Sequence, residues 1–269
     1  MKAGCSILNM EEIQVAKASG CDYLELMGKY LTALKEEDYD ILRRTLDKMQ
    51  INCEGLNAYC PKEIIIAGPG YDRRRVREYA ARCAARAEKL GINKVGIGSP
   101  QSRKLPEGYG RKRAEEEICD FLKTTADVFG IYGITVCLEP LAPCYCNFLN
   151  TLEEAAEIVD RIGWEEIRLV ADFYNLEYVG EADADLSCFL PLLFHVHISD
   201  DEGSPDRRSC LKPERRSIHQ TRIRHLYGQG YCGAVTLETD TPAEEKKVEQ
   251  SLLIIRRAAF EGESIQEGK

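Results

Sequence analysis

The sequence predicts an α/β protein that folds as a single (β/α)8 TIM barrel. Eight short apolar runs alternate with longer amphipathic segments, the pattern of parallel strands joined by helical crossovers. The length of 269 residues suits eight such units. No G-x-G-x-x-G phosphate loop directly follows a predicted strand, where an open doubly wound sheet usually carries one. We expect the barrel to span residues 1–258 and a C-terminal tail to follow at 259–269.

The elements can be placed in chain order from their periodicity and their end signals. The predicted strands are 3–8, 23–27, 51–58, 94–99, 134–140, 168–173, 194–199 and 234–239. The clearest helices are 11–19, 35–49, 72–90, 111–130 and 151–162, with apolar residues at three- and four-residue steps. Thr151 is a suitable N-cap for the last of these, and Gly20, Gly91, Gly133 and Gly163 are placed to end helices.

Composition limits the classes of function. The chain has 36 basic and 45 acidic residues, a formal net charge of -9, which argues against a nucleic-acid binder. We find neither a leader-like amino terminus nor the ~18 uninterrupted apolar residues of a membrane helix, so we expect a cytoplasmic protein without a membrane partner. The twelve cysteines are scattered without a C-x-x-C pair, so we expect reduced thiols and no structural zinc.

The stretch "LFHVHISD" places two of the four histidines on one predicted strand. Because side chains alternate between the two faces of a strand, His195 and His197 point the same way, opposite to Val196. His197 lies near the carboxyl end of the strand, where barrels of this type bind ligands. His195 lies one layer deeper, and we expect it to support His197 or to contact the substrate.

Three carboxylates share the inward parity of His197. Glu139, Asp172 and Glu238 end three other predicted strands, and the apolar residues beside them face outward. Burying three carboxylates together is strongly unfavourable unless a cation lies among them. A set of three carboxylates and one imidazole favours Mn²⁺, with Mg²⁺ or Co²⁺ as alternatives. The sequence therefore predicts one divalent metal ion bound by Glu139, Asp172, His197 and Glu238.

At these residues the chain resembles the xylose isomerase-like barrels of the sugar phosphate isomerase/epimerase superfamily. The similar segments are "CLEPL", "NFLNT", "VADFYN", "HVHISD" and "GYCGAVTLE", in the same order over almost the full length. The resemblance implies one metal on the four residues above and an acid/base pair of Glu139 and Glu238. It implies isomerisation or epimerisation of a sugar, sugar acid, sugar phosphate or polyol ketone through a metal-stabilised ene-diolate.

Three positions depart from that family. Many relatives carry a histidine where this chain has Asn175, a second glutamate where it has Tyr145, and an arginine where it has Gly203. A simple ketose 3-epimerase is therefore not the expected activity. A keto-polyol dehydratase and a sugar-binding barrel without catalysis stay open as alternatives. A DNA-repair endonuclease on the same scaffold would need a histidine-rich trinuclear cluster, which four histidines do not supply.

Substrate contacts are harder to predict. Glu25 and Asn57 end the second and third strands on the inward parity, so with Asn175 and His195 they are candidates for binding a small carbohydrate. The polar insertion at 201–217 contains five basic residues, Arg207, Arg208, Lys212, Arg215 and Arg216. It would either hold an anionic substrate group, as such loops often do, or form a solvated loop. Nothing in the sequence decides the oligomeric state, and a homo-oligomer stays open.

Overall fold

A computed structural model describes residues 1–267 and confirms the predicted barrel. Eight parallel strands close on themselves, each next to its neighbour in the chain. They are β1 (Ala3–Ile7), β2 (Tyr23–Met27), β3 (Asn52–Asn57), β4 (Lys94–Ile97), β5 (Thr135–Leu138), β6 (Ile167–Asp172), β7 (Leu193–Ile198) and β10 (Val235–Leu237). A separate antiparallel hairpin, β8 (Asp200–Asp201) and β9 (Arg208–Ser209), follows β7.

Helices surround the barrel. They are α1 (Ile13–Ala18), α2 (Gly28–Ala33), α3 (Glu36–Met49), α4 (Arg73–Lys89), α5 (Arg111–Phe129), α6 (Leu152–Ile162), α7 (Phe173–Glu177), α8 (Arg216–Gln229) and α9 (Glu245–Glu267). The five helices predicted from periodicity are confirmed within two residues at each end. Residues 259–267, expected as a tail, instead continue α9, and the last two residues of that predicted tail lie outside the described residues.

Local signals account for where the elements end. The Thr151 hydroxyl accepts a hydrogen bond from the Glu154 backbone and the Glu154 carboxylate accepts one from Thr151, a complete capping box. Gly163 ends the same helix at φ 68°, in the left-handed region that glycine adopts most easily. All twelve cysteines are free in this structure. Within residues 1–267 we find no helix with the length and apolar character that a membrane span requires.

The strands are staggered around the barrel. His197 pairs with Asp172 of β6 on one side and with Thr236 of β10 on the other. Glu238 therefore lies two residues beyond the level of His197. The predicted inward parity is present, but the four candidate ligands do not share one level of the ladder, because the strands of a closed barrel tilt and shift in register.

The insertion after β7 is an anchored hairpin. Asp200 is fully buried at its base, where Oδ2 accepts a hydrogen bond from the Lys212 backbone (2.6 Å) and lies 2.9 Å from His219 Nε2. Tyr174 donates a hydrogen bond from its hydroxyl to Asp201 (3.1 Å), and the Tyr145 hydroxyl contacts the Pro205 carbonyl. These contacts fix the segment that carries Arg208.

Candidate metal centre

Glu139, His197 and Glu238 meet at the carboxyl end of the barrel. His197 Nδ1 lies 3.3 Å from Glu238 Oε2 and 3.9 Å from Glu139 Oε1, and the three ligand atoms lie within 4.8 Å of one another. His197 is 1% exposed, yet its Nδ1 atom has no hydrogen-bond partner among residues 1–267. A buried, unpartnered ring nitrogen facing two carboxylates has the chemistry of a metal ligand.

Asp172 lies beside this group but is held by other partners. Its Oδ1 accepts the Tyr174 backbone N–H (3.0 Å) and so caps α7, while Oδ2 accepts from Asn175 Nδ2 (2.8 Å). Oδ2 also lies 2.7 Å from Nη2 of Arg208. The structure thus places Asp172 beside the group of Glu139, His197 and Glu238, with Arg208 between Asp172 and Glu238.

Arg208 lies at the candidate centre, although residue patterns did not single it out. Its side chain is 8% exposed, and the guanidinium bridges Asp172 and Glu238, with Nη1 2.8 Å from Glu238 Oε2. Nε donates to Ser199 Oγ (2.9 Å), and the group lies 4.9 Å from the centre of the Tyr174 ring. The sequence signal was the run of basic residues in the insertion, which could not show which one turns inward.

The other basic residues of the insertion lie elsewhere. Arg207 pairs with Glu202, Lys212 with Asp201, and Arg215 with Glu177, all at the surface or half-buried, and Arg216 is exposed. The insertion therefore combines one buried arginine at the candidate centre with basic residues at or near the surface. Arg208 enters the site, and Arg207, Lys212 and Arg215 form ion pairs outside it, of which the exposed Arg207 pair contributes little to stability. Arg215 also lies 3.3 Å from the buried carboxylate of Asp200.

Glu139 is positioned through its side chain and its backbone. Asn175 donates from Nδ2 to Oε1 of Glu139 (3.1 Å) and accepts the Ala142 backbone N–H (3.1 Å). Arg103, which is fully buried, donates to the Glu139 carbonyl at 2.7 Å. A Cβ at Gly98 would lie 2.5 Å from Glu139 Oε2, so glycine is required for this carboxylate to sit where it does. Arg103 gave no signal in the sequence.

Four residues were expected to contact substrate, and the structure separates them. Asn57 donates from Nδ2 to Glu238 Oε1 (2.8 Å), and its Oδ1 has no partner within the described residues. Asn175 instead bridges two candidate ligands. Glu25 and His195 are 1% and 2% exposed and lie beneath His197, with Glu25 in contact with both imidazoles. Glu25 and His195 were expected to contact the substrate, but they lie below the candidate centre instead.

The two glutamates of the cluster differ in the direction of their pKa shifts. Burial raises the pKa of Glu139 above its ordinary value, and the nearby carboxylate of Glu238 adds to the effect. Burial acts on Glu238 in the same direction, but Arg208 and His197 outweigh it and hold its pKa at about 2. Burial also lowers the pKa of His195 to about 3, which leaves that ring neutral. Environment thus divides two carboxylates of the same type, as acid/base sites often do.

A small cavity of about 120 Å³ opens above the cluster. It is lined by Glu139, Arg208 and Glu238 together with Ala58, Ser99, Leu141, Tyr145 and Asp240. Ala58 and Ser99 have φ values of 39° and 49°, a left-handed conformation that is unfavourable for residues with a Cβ. Such strain collects at binding sites, where the surrounding structure maintains it.

The donor set fits a divalent cation. Carboxylate oxygens and an imidazole nitrogen are ligands for Mn²⁺, Mg²⁺ or Zn²⁺, and a doubly positive ion would relieve the repulsion among three buried carboxylates. Glu139, His197, Glu238 and Asp172 are the residues that would hold it. The unpartnered Nδ1 of His197 is the observation that supports this fit.

Known proteins with this architecture include sugar isomerases and epimerases. An inosose isomerase from Halalkalibacterium halodurans is 24% identical over 241 residues, 87% of this chain and 83% of that protein. D-psicose 3-epimerase from Clostridium cellulolyticum H10, solved with D-tagatose, superposes with a TM-score of 0.76 at 17% identity over 99% of both chains.

The IOLI protein, solved with a bound zinc atom, superposes with a TM-score of 0.67 at 17% identity over 100% of this chain and 99% of that one. At this identity the two solved structures establish a shared fold. The family model described as xylose isomerase-like TIM barrel matches residues 13–258, nearly the whole barrel and its candidate centre. The chain belongs to the xylose isomerase-like TIM barrel family.

Proposed function

We propose that this chain is a divalent-metal-dependent isomerase or epimerase of a sugar, sugar acid, sugar phosphate or polyol ketone. One observation carries the proposal: Glu139 and Glu238 both face the unpartnered Nδ1 of His197 at the mouth of the barrel. Proteins similar to this chain are named inosose isomerase and D-psicose 3-epimerase, and these names support the same reaction class.

The two glutamates are proposed to move the proton. One carboxylate removes the proton from the carbon next to the substrate carbonyl, and the other returns a proton to the opposite face or to the neighbouring carbon. A divalent cation, Mn²⁺ as the first choice, supplies Lewis-acid stabilisation of the substrate oxygens when bound. Asn175 and Arg103 keep Glu139 in place, and Asn57 orients Glu238 through its amide.

Arg208 favours a substrate with an oxygen-rich or anionic group near the reacting carbons. Its guanidinium lines the cavity and is planar and bidentate, the geometry that suits a carboxylate or adjacent hydroxyl oxygens. A metal ion that binds Asp172 and Glu238 would compete for the present partners of Arg208. We propose that substrate oxygens then take the place of these two carboxylates as partners of Arg208.

The first experiment is metal analysis of the purified protein, followed by proton exchange in deuterated water. Inosose-type ketones, ketohexoses, sugar acids and sugar phosphates form the panel. We expect metal-dependent incorporation of deuterium at the carbon next to the carbonyl, without loss of water from the substrate. Elimination of water would instead favour the dehydratase, and binding without exchange would favour the sugar-binding barrel.

The matched variants are Glu238→Gln and Glu54→Gln. Glu54 pairs with Lys2 and lies outside the site, so its change tests the loss of a carboxylate in general. We expect Glu238→Gln to fold normally and to lose exchange by a factor on the order of 10² to 10⁴, while Glu54→Gln keeps it. Full exchange in Glu238→Gln would contradict the acid/base assignment.

A further inference from the structure

Glu25 lies directly beneath His197 and holds the ring nitrogen that faces away from the candidate metal. Its Oε2 atom lies 3.0 Å from His197 Nε2, while Nδ1 of the same ring points toward Glu139 and Glu238. Both residues are 1% exposed, so water does not compete for this contact. The ring is therefore held through Nε2, while Nδ1 makes no hydrogen bond within the described residues.

The second oxygen of Glu25 is also fully engaged. Oε1 lies 2.6 Å from His195 Nε2 and accepts a hydrogen bond from the Thr236 hydroxyl (2.8 Å). Lys94 Nζ, which is itself buried, lies 3.5 Å from the same oxygen. These contacts come from three different strands, β4, β7 and β10, so the carboxylate cannot turn without losing several partners at once.

The barrel has made room for this carboxylate. Gly55 on β3 pairs in register with Glu25, and a Cβ at that position would lie 2.9 Å from the Glu25 carboxyl group. The inner layer of a barrel is normally filled by branched apolar side chains. Burying a charged glutamate in this layer carries a desolvation penalty. The contacts of the glutamate must offset that penalty.

We infer that Glu25 is a positioning residue for the metal centre, which holds His197 in the orientation that presents Nδ1 to the ion. His195 and Thr236 in turn hold Glu25 through its other oxygen. A carboxylate that accepts the distal N–H of a ligating histidine fixes its tautomer and strengthens it as a ligand. The inference rests on the proposed function, since it needs a cation at Glu139, His197 and Glu238.

The experiment measures Mn²⁺ affinity by calorimetry in the wild type, Glu25→Gln and Lys94→Met. Glu25→Gln removes the charge with almost no change in shape, and we expect Mn²⁺ to bind roughly 10- to 100-fold more weakly. Lys94→Met is the matched control, because it alters an equally buried contact of Glu25 but leaves the bond to His197. We expect it to bind Mn²⁺ at least as tightly as the wild type.

A spectroscopic readout separates positioning from general damage to the core. The chain has only four histidines, so ¹⁵N-histidine labelling of the Mg²⁺-loaded protein gives few signals. We expect the Nε2 proton of His197 far downfield in the wild type and shifted upfield in Glu25→Gln. Should Glu25→Gln fold poorly with Lys94 left unpaired, the double variant Glu25→Gln/Lys94→Met removes both charges and is measured instead.

The outcomes are distinct. A wild type that binds no divalent cation would overturn the proposed function, and this inference with it. A wild type that binds Mn²⁺ while Glu25→Gln binds it equally well, with an unchanged His197 signal, would overturn the inference alone. Equal weakening in Lys94→Met would also overturn it, because the effect would then belong to the packing of the core.

Discussion

The guanidinium of Arg208 lies 2.7 Å from the carboxylate of Asp172. One residue comes from a hairpin after β7 and the other from the end of β6, so the contact joins an insertion to the barrel. Asp172 is also a predicted metal ligand. Arg208 and a cation at the candidate centre would therefore compete for one carboxylate.

Replacing Arg208 by methionine should change metal binding and turnover in opposite directions. Removing a buried positive charge beside Asp172 and Glu238 should tighten Mn²⁺ binding several-fold, because like charges no longer repel. Loss of the group that orients substrate should lower kcat/KM on the order of 100-fold. Calorimetry and exchange kinetics check the two effects.

The control for this change is Arg207→Met. Arg207 is the adjacent arginine, but it is exposed and pairs with Glu202. We expect it to leave both quantities unchanged. Weaker Mn²⁺ binding in Arg208→Met would contradict the competition described here.

Replacing Asn175 by alanine should destabilise the metal-free protein by about 2 kcal/mol. The Asn175 amide donates to both Glu139 and Asp172, and two buried carboxylates would lose a donor. The loss of stability should be smaller when Mn²⁺ is added, because the cation then neutralises both carboxylates. Urea unfolding with and without Mn²⁺ measures it.

The comparison variant is Asn147→Ala, whose amide bonds the backbone of Leu105 near the surface. Its stability should not depend on Mn²⁺. An Asn175→Ala protein whose loss of stability is the same with and without Mn²⁺ would show that Asn175 does not act through the two carboxylates.

Replacing Gly98 by alanine should weaken metal binding about tenfold or more with little unfolding. The new methyl group would lie 2.5 Å from Glu139 Oε2, so the carboxylate has to move. Gly110→Ala is the control, because a Cβ there meets open space. Titration with Mn²⁺ measures the affinity of the two variants. Equal affinities would show that the Glu139 carboxylate can move without weakening metal binding.

The anchor of the hairpin should make stability depend on acid pH. Burial raises the pKa of Asp200, but His219, the Lys212 backbone and Arg215 outweigh it and bring the pKa below its usual range. The stabilisation is then fully present above the unfolded pKa of about 4 and is lost as the pH falls through the lower folded value.

Asp200→Asn should therefore cost about 3 kcal/mol at pH 7, with a smaller difference from the wild type below about pH 4. Urea unfolding of both proteins between pH 7 and pH 3 gives the two curves. A difference that stays constant over this range would show that the charge of Asp200 does not contribute.

Residue patterns predicted most of the barrel and part of the site. Strand positions and the inward parity of Glu139, Asp172, His197 and Glu238 follow from a two-residue alternation, which is a local property of the chain. Helix ends such as the Thr151 cap are local as well. For these features the amino-acid sequence alone was sufficient.

Only the closed barrel decided which residues become neighbours in the candidate site. The stagger that pairs His197 with Thr236 puts Glu238 one layer higher, and the folded hairpin selects Arg208 among five basic residues. The same closure brings Glu25 beneath His197, although 172 residues separate them in the chain. Parity states which face a side chain uses, but depth and partners depend on how distant strands tilt and pack, which no local pattern contains.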